Sequence, residues 1–165
     1  MGVKWKIILK EDKRPEEVMF TGQYQHAIDS KGRLIMPVKF REKFKDSCYV
    51  CNGLDGCLFV FDKEYWEEFN EKLMKLPMNN KKARTLARYF ASGSDECEFD
   101  KQGRILISPA LKEKASLTRD VVLVGVLNRV EIWDADKWNE TISDDEVDID
   151  DLMEDMSDSG FDISF

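Results

Sequence analysis

The chain has a single histidine, His26, and no lysine or arginine beyond Lys137. One histidine excludes any site that needs two, such as a paired-histidine metal centre. Four cysteines in 165 residues do not make a disulfide framework. Cys48 and Cys51 have a zinc-like or redox-like spacing. Both fall in a predicted strand with no second ligand pair near them, so ordinary buried thiols are expected. No apolar run approaches the roughly 20 residues that span a bilayer. The run Lys4 to Leu9 is too short and too charged at its edges for a signal peptide, and no small-residue cleavage site follows it. A cytoplasmic protein is therefore expected. No phosphate-cradling glycine loop, nucleophile–base pair or complete set of metal ligands is read from the sequence, so neither enzyme, cofactor nor metal is predicted. His26 itself, in a predicted strand, is expected to be packed or hydrogen-bonded.

The missing basic residues at the C-terminal end change what the net charge of −8 means. Eleven acidic residues lie from Glu140 onward. The rest of the chain sets 25 Lys and Arg against 22 Asp and Glu, a body of about +3. The body is thus weakly basic, and residues 143–165 form an acidic tail, expected to be disordered or a frayed helix. Residues 1–18 read as an N-terminal extension.

What the chain does contain is one short element twice. Asp29-Ser30-Lys31-Gly32-Arg33-Leu34-Ile35-Met36-Pro37 returns as Asp100-Lys101-Gln102-Gly103-Arg104-Ile105-Leu106-Ile107-Ser108-Pro109. The match continues in order: Gly53 with Gly125, Phe61 with Trp133, Asp62 with Asp134, Trp66 with Trp138. This predicts a tandem repeat with halves at 19–76 and 95–142, joined through a linking helix in 77–94.

Each half reads as hairpin, short helix, hairpin, helix. Tyr24 to Ile28 alternates as a strand, Asp29 to Gly32 is a turn, and Arg33 to Met36 returns, with Leu34 and Met36 on one face. Pro37 and Pro109 suit the first turn of a short helix, and Ser108 is a good N-cap. A second hairpin turns at Asp55-Gly56, with Asn128 in the place of Gly56 and able to adopt the left-handed conformation. Asp62 and Asp134 are predicted N-caps of the closing helices. Trp66, Phe69, Leu73 and Leu76 follow helical spacing up to Pro77.

The candidate site is the pair of arginine turns. Arg33 and Arg104 each offer five donors in a rigid fork that fits a phosphate or the O6/N7 edge of guanine. Lys31 and Lys101 stand beside them as phosphate contacts. Gly32 and Gly103 let a backbone approach, and Asp29 and Asp100 shape the turns and orient the arginines. An antiparallel ribbon carrying them is narrow enough for a major groove. Two other readings stay open: an oligomeric interaction module whose arginines grip an acidic partner protein, and an enzyme using Asp29 and Asp100 as a carboxylate pair.

Asp-x-x-Gly-Arg-apolar-x-apolar-Pro resembles the SpoVT/AbrB-like swapped-hairpin transcription factors. The two tandem copies, together with Tyr24-Gln25-His26, Gly53-Leu54-Asp55-Gly56-Cys57-Leu58-Phe59 and Gly125 to Trp133, are similar to the MraZ family over about Met19 to Glu140. Ser108 stands where that family tends to carry a further proline. The resemblance implies an α+β fold, mainly a β barrel with short helices, in which AbrB-like swapped hairpins interlock about a pseudo-two-fold axis. It implies a DNA-binding repressor of its own gene and the adjacent division and cell-wall genes. Such a protein binds promoter direct repeats of double-stranded DNA as a homo-oligomeric ring and associates with the nucleoid. The family's Asp and Arg positions fall on Asp29 with Arg33 and Asp100 with Arg104.

Overall fold

The computed structural model describes residues 19–142 and 148–163. The predicted extension 1–18 lies outside them. The chain divides into two compact units after Ala135.

The first unit holds eight strands: β1 Gln23–Ala27, β2 Arg33–Ile35, β3 Ser47–Asn52, β4 Leu58–Phe61, β5 Ser94–Glu98, β6 Arg104–Leu106, β7 Asp120–Val126 and β8 Arg129–Asp134. Between them lie α1 Val38–Phe44, α2 Lys63–Met74, α3 Lys81–Ser92 and α4 Pro109–Lys114. A six-stranded sheet runs β1-β7-β8-β4-β3-β5, and β2 and β6 form a separate two-stranded ribbon. Exchanging β1–β4 for β5–β8 turns this order into its own reverse, which is the pseudo-two-fold relation of the repeats. The fold is α+β, built from two tandem half-domains.

The predicted first hairpin of each half does not form as a hairpin. After the turn, β1 pairs with β7 and β2 with β6, and in the other half β5 pairs with β3. Every one of these pairings joins one repeat to the other. The second hairpins, β3–β4 and β7–β8, are local as expected, with Tyr49 opposite Phe61 and Val126 opposite Arg129. The Asp55-Gly56 turn has φ of 63° and 85°. In the second repeat the left-handed residue is Leu127, φ 63°, and not Asn128. Positive φ at the first of two loop residues is the II′ pattern, which needs no left-handed residue at the second.

Alternation along each strand decides what is buried. Leu34, Met36, Ile105 and Ile107 point inward from the ribbon and are at most 2% exposed. They meet Val50, Leu58, Val60, Val121, Leu123, Val130 and Ile132 of the sheet in one core. A two-stranded ribbon is marginal by itself. Here each buried aliphatic side chain contributes about 1.5–3 kcal/mol, so the core holds the ribbon in place. Helix α1 is too short to form alone. It is fixed by Phe40, whose ring meets Phe20 and Tyr24 edge-on at 5.8 and 5.2 Å.

Asp62 caps α2, accepting from the Tyr65 N–H at 2.9 Å, and Ser108 caps α4 through the Leu111 N–H. Asp134, predicted in the same role, accepts from the Thr118 N–H and hydroxyl. The linking helix α3 starts on Asn80, which accepts from Lys82 and Ala83. Trp66 stacks on Tyr49 at 5.4 Å. Arg129 is held by the Glu131 carboxylate at 2.8 Å and lies over the Phe59 ring.

All four cysteines are buried free thiols. Burial pushes Cys51 and Cys57 up to about 12 and Cys97 to about 11. A neutral, shielded thiol is a poor nucleophile, so an aromatic disulfide reagent at pH 8 should label the thiols of folded protein only as fast as it unfolds. Rapid stoichiometric labelling of folded protein would contradict the burial.

Helix α5 spans Ala135–Ile142, beginning at the last residue of the first unit, and α6 spans Ile149–Asp158 in the second. The acidic tail is therefore helical over α6, one of the two forms expected for it. Asp148 caps it, and Asp150 and Asp151 sit in its first turn, where negative charge complements the helix dipole. No helix among the described residues is long and apolar enough to cross a membrane.

Candidate nucleic-acid interface

Each turn is built around its aspartate. Asp29 Oδ1 accepts from the backbone N–H groups of Lys31 and Arg33, both at 2.9 Å, and Oδ2 accepts from Arg33 Nε at 2.6 Å. The second copy repeats this: Asp100 Oδ1 accepts from Gln102 and Arg104 at 2.9 Å, and Oδ2 from Arg104 Nε at 2.7 Å. The Gly32 and Gly103 N–H groups close the turns onto the Asp29 and Asp100 carbonyls. Both glycines have positive φ, 84° and 76°, which a side chain would strain. With Nε tied down, each guanidinium is fixed in orientation and keeps its outer edge for a ligand.

The swap brings the turns together. Ile35 lies opposite Arg104 and Arg33 opposite Leu106. The Met36 N–H donates to the Gly103 carbonyl at 3.0 Å, and the Ile107 N–H to the Gly32 carbonyl at 2.8 Å. Each turn is thus bonded to the strand of the other repeat. Arg104 Nη1 also lies 4.0 Å from Asp29 Oδ2. Four of the predicted residues, Asp29, Arg33, Asp100 and Arg104, form one constellation on one ribbon. Lys31 and Lys101 are both exposed beside it. They are not equivalent: Lys31 is the second residue after its aspartate and Lys101 the first, so their ammonium groups leave the two turns at different places.

Sequence reasoning missed Arg41. Its guanidinium covers Gly103, with Nη1 only 1.5 Å from where a Cβ would sit. The signal was invisible locally, because Arg41 belongs to α1 of the first repeat and Gly103 to the turn of the second. Arg41 brings a further cation to the second turn.

The ring of donors controls the aspartates. Hydrogen bonding from the Arg33 backbone N–H, with further help from its side chain and from Lys31, lowers Asp29 from 3.8 to about 2. Asp100 is lowered in the same way, chiefly by the Arg104 backbone N–H. A carboxyl depressed on folding stabilises fully above its unfolded value and loses that contribution as pH falls through the folded one. The turns should therefore be intact above about pH 4 and fail only as pH approaches 2. The Asp29 carboxyl carbon, followed by NMR down to pH 1.5, should titrate near 2; a midpoint near 4 would mean the turn is open in solution.

A pair of Asp–Arg turns on a ribbon shared between swapped halves defines a tandem swapped-hairpin protein, in which one chain supplies both halves. Residues 19–89 and 90–159 each match the MraZ protein family, described as antitoxin-like. Proteins named transcriptional regulator MraZ are similar to this chain over most of their length. That of Ligilactobacillus salivarius is 49% identical over 140 residues, 85% of this chain and 98% of the relative. That of Lachnoclostridium phytofermentans is 48% identical over 142 residues, 86% and 98%. That of Heliobacterium modesticaldum is 52% identical over 121 residues, 73% and 85%. The chain belongs to the MraZ family.

Proposed function

We propose that this protein is a sequence-specific, DNA-binding transcriptional regulator, and that it represses its own gene and the adjacent division and cell-wall genes. The observation that carries the reading is the side-by-side placement of two oriented arginines on a narrow ribbon. The names of the relatives support a regulator. Arg33 and Arg104 contact base edges or phosphate and Lys31 and Lys101 contact phosphate, while Gly32 and Gly103, both buried, serve only to shape the turns. The protein acts in the cytoplasm, on the nucleoid, and has no catalytic role.

A body charge near +3 is small for a lone subunit. A homo-oligomeric ring, each subunit on one promoter direct repeat, gains affinity through effective concentration. The test is a gel-shift titration on the region upstream of its own gene, with sedimentation of the same samples. Absence of a salt-sensitive shift by the wild-type chain would sink the function, and a shift by a monomer alone would sink the ring.

Asp29→Ala separates orientation from charge. Removing a negative charge beside DNA should strengthen binding if the surface acts only by its net charge. If the carboxylate holds the Arg33 fork, binding should weaken about tenfold, the scale of one lost charge-assisted contact. Anisotropy titration of the variant on the same operator reads the sign directly.

A further inference from the structure

We propose that Ile35 and Leu106 are specificity-determining residues that read the 5-methyl groups of thymine in the operator. The inference rests on the DNA-binding reading and deepens it. On the ribbon, residues of alternate parity face opposite ways. Leu34 and Ile105 face the core at no more than 1% exposure, so Arg33, Ile35, Arg104 and Leu106 share the outer face. Ile35 is 44% exposed and Leu106 60% exposed. An exposed aliphatic pair on a strand surface is unexceptional by itself. Its setting is what matters. Arg33 faces Leu106 and Arg104 faces Ile35 across the ribbon, so the four side chains form a two-by-two patch with cation and hydrocarbon on alternate corners.

That pattern suits one occupant. Lys31 and Lys101 flank the patch, and each aspartate on it is bonded to its own arginine. Each Asp–Arg pair is neutral in sum, so Lys31, Lys101 and the nearby Arg41 give the face its net positive charge, which favours a polyanion over a second copy of the same basic face. In the major groove, guanine offers two acceptors to an arginine and thymine offers a methyl group to an apolar side chain. Side chains two residues apart on a strand are about 6.8 Å apart, close to the rise of two base pairs at about 3.4 Å each. Arg33 and Ile35 can thus meet base pairs two steps apart on one strand, and Arg104 and Leu106 can do the same through the pseudo-two-fold axis. Leu106 also reaches over the first turn, with its Cδ1 3.5 Å from the Cβ position of Gly32.

The test uses the full chain and the operator fragment it protects from nuclease, with each thymine in turn replaced by uracil, which lacks only the methyl group. Anisotropy titration of the wild type should show a loss of about threefold to fivefold at a few thymines, the scale of one buried methyl group, and none at the others. Ile35→Ala should bind thymine and uracil operators equally at one subset of those positions, and Leu106→Ala at another. Ile35→Val, which keeps a branched apolar surface, should retain the discrimination. Thermal melts identify any variant whose folded fraction has fallen. Uniform tolerance of uracil by a wild-type protein whose binding still depends on Arg33 would overturn the inference and leave the DNA-binding reading standing. A wild-type protein that binds no DNA would overturn both. Loss of self-association in Ile35→Ala with unchanged uracil sensitivity would assign the pair to a subunit contact and overturn the inference as well.

Discussion

Replacing Arg33 and Arg104 together by alanine should abolish specific operator binding while leaving the fold intact. Neither side chain is in the core: Arg33 is 35% and Arg104 23% exposed, and among the described residues their side chains pair with Asp29 and Asp100. A good bidentate contact to a base is worth about 1–3 kcal/mol of discrimination, so each single variant should lose about tenfold to a hundredfold. The pair should lose more than a hundredfold, since the turns address different parts of one site. The salt dependence separates the two kinds of contact. An arginine on phosphate flattens the slope of log affinity against log salt by about one when removed, whereas one reading a base lowers affinity for the operator over random DNA. Arg33→Lys adds a further discrimination. Lysine keeps the charge but has no Nε to place on Asp29 Oδ2, so a fixed fork predicts a loss close to that of alanine. Near-normal binding by Arg33→Lys would reduce the site to a positive charge.

Phe40→Ala should be the most damaging single core change near the site. The side chain is 1% exposed and wedged between Phe20 and Tyr24, and a buried Phe→Ala costs about 3–5 kcal/mol. For a folded body of this size the melting temperature should fall by roughly 10–20 °C. Helix α1 follows β2 through Pro37, so the same loss loosens the anchor of the ribbon. Binding per folded molecule, measured well below the new melting temperature, should stay within about threefold of wild type, because Arg33 and Asp29 bond to each other and not to Phe40. Calorimetry with anisotropy on one sample checks both parts. A large loss of affinity without loss of stability would mean that α1 touches DNA itself.

The local elements were legible because their causes are local. The turn at Asp29–Gly32 needs an acceptor and a residue tolerant of positive φ, and Asp and Gly declare both. The inward and outward faces of β2 follow from period-two alternation, and two of the helix starts from Asp62 and Ser108. The Asn128 expectation failed because a two-residue loop can place its left-handed residue first, at Leu127. Composition left the tail between disorder and a frayed helix, because it does not register that Asp148, Asp150 and Asp151 cap and charge a helix start.

The sequence by itself determined the duplication, the two turns and the orientation of their arginines, since the Asp29 and Asp100 hydrogen bonds that shape the turns and hold the arginines run between residues at most four apart. Only the tertiary structure decided which strands pair. A closed hairpin and its swapped form offer nearly the same backbone bonds and bury the same alternating faces, and because the repeats resemble each other each strand has an equivalent partner in the other half. The alternation in Leu34 and Ile105 is satisfied either way. The swap, however, puts Arg33 opposite Leu106 and Ile35 opposite Arg104. It also lays Arg41 over Gly103 and turns two separate turns into one surface.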